Sequence, residues 1–531
     1  MGYQTRPVTY AQRGIVAAPH YLAAEAGLDV LKAGGSAADA AIAANAMLQV
    51  VFPFVCGLGG DTFAIIWSAT EQKIYALNAS GKSAATASAE KYAALGYHEM
   101  PTFGIHSVTV PGCPDGWDAL HKNFGVLPLS RILEPAIYYA EQGFPVGPEL
   151  SVALQKTAAS GHAHTSWFSN FLPDGDVPQT GSIMKLPNLA KTFRALTEAG
   201  LKDFYTGDIA RQIADFFQRE NGCITLTDLA EHQSQWVEPL SAEYGDLRIY
   251  ELPPNTHGAT ALQMMAMLNL LPPGSDPMDP KTIHLAVEAK KLAFADRDRY
   301  ITDPARMTIR VEDLLNPEYI IQRSALIHPN RAAESAAPGS LSGDTIYLCA
   351  ADSQGNMVSL IQSNYMGFGS GVVVENTGIA LQNRGAYFRL DPHHINALEP
   401  RKRTMHTLIP SLAVQNGVPS VVFGSMGGDG QPQFHTQVYT NIIRFAANMQ
   451  EAIDIPRWLH GASRGSNREQ LFIESRVPES TIRELQRMGH EVVITEPWDS
   501  LMGFAQGIIR LPNGVYAGGS DPRAEGIAAG W

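Results

Sequence analysis

Apolar residues recur at helical spacing through most of the stretch from about residue 20 to about residue 330. Tyr21 to Lys32, Ile132 to Gln142, Ile209 to Arg219 and Thr282 to Tyr300 each predict a helix with one buried face. From Ala40 to Gly60 the chain carries no charge and is long enough to span a bilayer. Asn45, Gln49 and Pro53 interrupt that run, glycines at 57, 59 and 60 close it, and Ser36 with Asp39 makes a capping-box pattern in front of it. The expectation is therefore a buried, Ala-rich helix over about Ala37 to Val50 and no membrane span. After Leu341 the pattern changes to short β-prone runs bounded by turn residues: Thr345 to Ala350, Met357 to Gln362, Gly378 to Gln382, Ser420 to Gly424, Glu491 to Ile494 and Phe504 to Arg510. Between the helical and strand-like parts, His328 to Ser342 is rich in Pro, Ala, Ser and Gly and reads as an exposed connector.

Composition narrows the class without naming a function. Hydrophobic residues make up 45% and charged residues 17% of 531, a globular balance that excludes disordered, collagen-like and disulfide-scaffold chains. The formal net charge of -13 argues against nucleic acid or another anionic polymer as the partner. Cys56, Cys113, Cys223 and Cys349 are widely spaced and lack His partners at metal-ligand spacing, so reduced, mostly buried thiols are expected. The first residues show no apolar segment behind their basic ones, which makes a cytoplasmic location the default expectation.

Few segments carry chemistry on their own. Thr345, in Gly343-Asp-Thr-Ile-Tyr347, stands where the connector meets the first strand-like run. A Thr at a strand start is ordinary, but a Thr made into an N-terminus by cleavage before it could use its own α-amine as base. Phe423 to Gly430 is a strand ending in a glycine-rich turn, which fits a tight turn or a pair of oxyanion-binding amides at Gly427 and Gly428. It lacks the Lys-Ser/Thr of a phosphate-binding loop. Gly367 to Gly371 has no clear helix behind it and gives no dinucleotide site. His162, His164, His393 and His394 read as loop or surface residues, because carboxylates at ligand spacing are missing. His406 lies in a basic stretch, Arg401 to Pro410.

Taken in order, these segments resemble the γ-glutamyltransferase family of N-terminal-nucleophile hydrolases. The matches are Ala38-Asp-Ala-Ala41, Gly57-Leu-Gly-Gly60, Val110-Pro-Gly112, Tyr205-Thr-Gly207, Glu251-Leu-Pro-Pro254, Phe294-Ala-Asp-Arg297, Gly343-Asp-Thr345, Gly424 to Gly428 and Ser520-Asp-Pro-Arg523. The resemblance implies an α/β, four-layer αββα fold made as a precursor that cuts itself between Asp344 and Thr345. Residues 1–344, with the connector at about 328–344, would form a helix-rich large subunit. Residues 345–531 would form a strand-rich small subunit, and two such heterodimers could pair. Thr345 would be the nucleophile, Ser363 the hydroxyl that hydrogen-bonds it, and Gly427 with Gly428 the oxyanion hole. Neither a metal nor an organic cofactor is implied.

The substrate-binding positions depart from the γ-glutamyl pattern. Asn78 replaces an Arg that binds the substrate α-carboxylate, Tyr387 an Asp that binds the α-amine, Tyr365 an Asn, and His406-Thr407 a pair of serines. Loss of the Arg removes a bidentate carboxylate clamp, and an aromatic ring cannot neutralise an ammonium as a carboxylate does. Gln382 to Phe388, His406-Thr-Leu and Gly424 to Gln433 are instead similar to the oxamate amidohydrolase branch of the family. The expected substrate is then a small carboxylate amide, with oxamate giving oxalate and ammonia, and Arg384 or His406 supplying positive charge. A γ-glutamyltransferase or glutathione hydrolase, a cephalosporin or glutaryl acylase, and a non-catalytic binding protein are the alternatives.

Overall fold

The computed structural model describes residues 3–333, 344–462 and 469–531, so residues 334–343 of the expected connector lie outside it. Two seven-stranded antiparallel sheets face each other. The first runs Ile527–Gly530, Ile15–Ala18, Asp344–Ala351, Met357–Tyr365, Asp61–Ser68, Lys73–Ala79 and Gln235–Val237. The second runs Thr9–Ala11, Tyr516–Ser520, Ala505–Arg510, Val418–Ser425, Ser411–Gln415, Leu247–Glu251 and Leu240–Tyr244.

The alternation along each strand explains why the sheets stack and what covers them. In Asp61–Ser68, Phe63 and Ile65 point between the sheets to meet Tyr347, Leu412, Val422 and Ile508. Their neighbours Ala64 and Ile66 point outward into a second core, built on the helices Tyr21–Lys32, Ala37–Val51 and Leu129–Gln142. On the far side of the second sheet, Ile249, Ala413, Val421 and Phe423 pack under the helices Gly258–Asn269, Pro280–Tyr300 and Gln431–Phe445. Successive side chains of a strand thus enter different cores, and the result is a helix, sheet, sheet, helix stack.

The uncharged stretch forms the helix Ala37–Val51, every residue of it buried, with the Ser36 and Asp39 capping box in place. Among the described residues no helix is long and apolar enough to cross a membrane. Several sequence expectations change. The mostly helical stretch from residue 20 to 330 also supplies five of the fourteen strands of the main sheets. Gly378 to Gln382 shrinks to Ile379–Ala380 in a two-stranded ribbon, where Gly378, at φ 71°, turns the chain. The run at Glu491 becomes Val492–Thr495, the edge of a separate three-stranded sheet.

Candidate active site

Thr345 lies near the start of the strand Asp344–Ala351 and is only 1% exposed. The pairing with Met357–Tyr365 shifts register between Asp344 and Ile346, which places Thr345 at a bulge. Its Oγ1 donates to Ser363 Oγ at 3.1 Å, and the same oxygen accepts the Tyr365 amide at 2.7 Å. On the other side, Ser363 is the ladder partner of Asp61. Gly60, just before Asp61, has no room for a side chain, because a Cβ there would stand 2.4 Å from the Ser363 carbonyl oxygen. Its own carbonyl accepts the amides of Gly112 and Cys113 at 3.0 and 2.9 Å, which docks Val110-Pro-Gly112 against the site.

Sequence reasoning missed Asp61 as a member of this cluster. It is fully buried, with Oδ1 accepting from the Gly81 amide and from Gln382 Nε2, each at 3.0 Å, and Oδ2 facing His406 Nε2 at 3.0 Å. Burial pushes its carboxyl up to about 7, against the pull of the Gly81 amide, Arg384, Gln382 and Arg403. The signal available was a lone acid directly after a run of glycines. His406 Nδ1 accepts from the Leu408 amide at 3.4 Å, so the ring proton sits on Nε2 and points at Asp61. Burial, reinforced by Arg384 and His257, holds this imidazole well below its ordinary pKa and keeps it neutral. Of the two candidate cations, only Arg384 brings a charge.

Arg384 opens the short 3-10 segment Arg384–Tyr387 and is 1% exposed. Its Nη1 donates to Thr407 Oγ1 at 3.1 Å, and its guanidinium lies 4.0 Å above the centre of the Tyr365 ring. Nε and Nη2 are buried with no hydrogen-bond partner among the described residues. Tyr365, at φ 81°, also packs on Tyr387, ring centres 5.6 Å apart. The Tyr387 hydroxyl donates to Asp429 Oδ1 at 2.8 Å, and Arg297 Nη1 reaches the same oxygen at 2.7 Å.

Asp429 follows Gly427 and Gly428 in the turn between Val418–Ser425 and the helix Gln431–Phe445. Both glycines have left-handed φ, 137° and 52°, and a Cβ on Gly427 would stand 2.5 Å from the Phe434 ring. This turn ends a strand that crosses the strand Asp344–Ala351 closely, since a Cβ on Gly424 would stand 2.4 Å from the Tyr347 ring. A continuous set of contacts thus joins Thr345, Ser363, Tyr365, Arg384 and Thr407, and continues through Tyr387 and Asp429 to the glycine turn. Asn78 stands apart from these contacts. Its Nδ2 donates to Asn255 Oδ1 at 2.9 Å and its Oδ1 accepts from Ser80 N and Oγ at 3.0 and 2.7 Å.

Comparison with known proteins agrees with this architecture. The gamma-glutamyltranspeptidase family profile matches residues 23–531. The glutathione hydrolase-like YwrD proenzyme of Bacillus subtilis is 39% identical over 524 residues, covering 97% of this chain and 98% of that protein. The oxamate amidohydrolase proenzyme of Klebsiella pneumoniae subsp. pneumoniae is 38% identical over 524 residues, covering 98% of each chain. The crystal structure of cephalosporin acylase from Bacillus halodurans superposes with a TM-score of 0.93 at 42% identity, covering 99% of this chain and 97% of that one.

Proposed function

Since the chain belongs to the gamma-glutamyltranspeptidase family of N-terminal-nucleophile hydrolases, we propose that it cuts itself before Thr345 and then hydrolyses the amide of a small carboxylic acid, with oxamate the favoured substrate. In the first step Thr345 Oγ1 attacks the Asp344 carbonyl, the peptide nitrogen leaves, and water resolves the ester. The products are a new carboxylate at Asp344 and a free α-amine on Thr345. Support comes from the buried Thr345 hydroxyl, held by Ser363 at a bulge, and from the word proenzyme in the names of the relatives. Both main sheets interleave strands from the two sides of this bond, so the large and small subunits would stay together.

In the second step the α-amine takes the proton of Thr345 Oγ1 as that oxygen attacks the substrate amide carbonyl. The adjacent amides of Gly427 and Gly428 would receive the negative charge that develops on the carbonyl oxygen. The α-ammonium then gives that proton to the departing amide nitrogen, which leaves as ammonia, and water releases the acid from the acyl-enzyme. The observation that carries the substrate class is Arg384. A buried guanidinium with two unpartnered nitrogens is costly unless an anion completes it, and a carboxylate matches its planar fork. Tyr365 and Tyr387 close on the same spot and favour a compact acid over a long one.

The test is to incubate self-cleaved protein with oxamate, a γ-glutamyl anilide and a glutaryl cephalosporin in separate reactions. Ammonia from oxamate alone supports this reading. Release of aniline or of the cephalosporin nucleus with oxamate inert would transfer the chain to the glutathione hydrolase or acylase reading.

A further inference from the structure

N-terminal to Arg297 on the helix Pro280–Tyr300, His284 and Glu288 stand four residues apart and so share one helix face. His490, in the turn after the helix Glu479–Arg487, reaches that face. His284 Nδ1 and His490 Nε2 are 2.8 Å apart, and one ligand atom from each of the three residues lies within 4.8 Å of the others. All three side chains are buried. The geometry points to a structural binding site for a divalent transition metal of the zinc type, held by His284 Nδ1, His490 Nε2 and a Glu288 carboxylate oxygen.

Two features favour a metal over a bare histidine pair. First, His284 Nε2 lies 2.8 Å from the His328 carbonyl, which fixes the proton there and turns the lone pair of Nδ1 toward His490. Orientation of a metal-binding imidazole by a backbone carbonyl on its other nitrogen is a recurring feature of zinc sites. Second, Glu288 is oriented by Lys291 Nζ at 2.7 Å on Oε1 and by the Ala333 amide at 2.9 Å on Oε2, leaving further lone pairs on each oxygen.

The metal-free arrangement is close to the bound one. Zinc–nitrogen bonds of about 2.0–2.1 Å at tetrahedral angles put two nitrogens roughly 3.3 Å apart, so the rings need to part by about half an ångström. His490 moves its proton to Nδ1 and no net proton is lost. Two imidazoles and one carboxylate are a donor set that suits zinc, with water as the fourth ligand. The bound ion would fasten 328–333, the described start of the connector before Thr345, to the helix through the His328 carbonyl and the Ala333 amide.

Full-length protein stripped with a chelator and titrated with Zn2+ against a chromophoric competitor should take up one equivalent with submicromolar affinity, and its melting temperature should rise. His490→Gln keeps a hydrogen-bond partner for His284 but supplies no imidazole. That variant should fold with the metal-free melting temperature, lose the tight equivalent, and show no zinc-dependent shift. Glu288→Gln should weaken binding at least tenfold. Absence of a tight equivalent in the unmodified protein, or unchanged binding in His490→Gln, would overturn the proposal and leave a hydrogen-bonded histidine pair.

Discussion

Two buried arginine clusters among the described residues differ in how fully their hydrogen-bonding groups are satisfied. Near the C-terminus, Arg523 meets Glu474 through Nε and Nη2 and Asp521 through Nη1, at 2.7 to 3.0 Å. Beside it, Arg457 pairs with Asp521 and also donates to the carbonyls of Ile453, Met502 and Gly503, with only its Nε unpartnered among the described residues. In the candidate site, Arg384 has a single hydrogen-bond partner among the described residues, Thr407, and lies over an aromatic ring. The first cluster joins the strand Glu469–Glu474 to the turn after Tyr516–Ser520 and leaves little for a ligand to add. The second holds a guanidinium with two nitrogens unpartnered among the described residues. Burial alone therefore does not separate an architectural arginine from a binding one; the count of unmet donors does.

Substitutions should separate the two roles. Thr345→Ala is the largest expected loss: a single band on a denaturing gel and no turnover above background, with both arginine clusters intact. Any retained turnover would remove Thr345 from the mechanism. Arg523→Ala should destabilise the fold by about 3–5 kcal/mol, since it leaves Glu474 buried without its main cation, and denaturant melts would measure this. Arg384→Ala should do the reverse, raising KM for a small acid about 100-fold, the value of a charged hydrogen-bond pair, while self-cleavage and the melting temperature are preserved. An unchanged KM would return Arg384 to the architectural class.

A pH experiment sharpens the contrast. Asp61 has a raised pKa, so the folded state binds its proton more tightly than the unfolded chain does. Wild-type protein should lose stability relative to Asp61→Asn as pH rises from about 4 to about 7, at most by about 1.4 kcal/mol per pH unit. A constant difference across that window would contradict the assignment. Asp521 is the opposite case: despite burial, Arg457 and Arg523 hold it below its ordinary value, so its contribution persists above about pH 4 and is lost only in acid. Tyr365→Leu is the smallest change, removing the ring under Arg384 and raising KM about tenfold, in line with about 1–2 kcal/mol for a buried cation–π contact.

Much of this was legible along the chain, for reasons that differ by element. The helix Ala37–Val51 could be read because its cap is local: Ser36 and Asp39 sit three residues apart and bond each other's backbone. The strand Asp61–Ser68 could not, because both of its faces are buried and no polar alternation marks it. Thr345, Gly427 and Gly428 were named from their position at a strand start and in a glycine turn, aided by the family resemblance. The Arg384 and Thr407 pair, 23 residues apart, and the convergence of Asp61, Gln382 and His406 depend on chain crossings that no local pattern encodes.

The interleaving of the two main sheets has a consequence for the order of events. Strands 344–351 and 357–365 lie between 15–18 and 61–68, and strands 247–251 and 240–244 extend 411–415. Before the cut, all fourteen strands find their places by an intramolecular search. After it, the same search must bring two separate polypeptides together, and its rate becomes second order. Regain of native structure after complete unfolding should then depend on protein concentration for the cut form and not for Thr345→Ala. Cleavage at Thr345 would create the catalytic amine and, in the same act, discard the connectivity that made assembly easy, leaving a molecule that is built once.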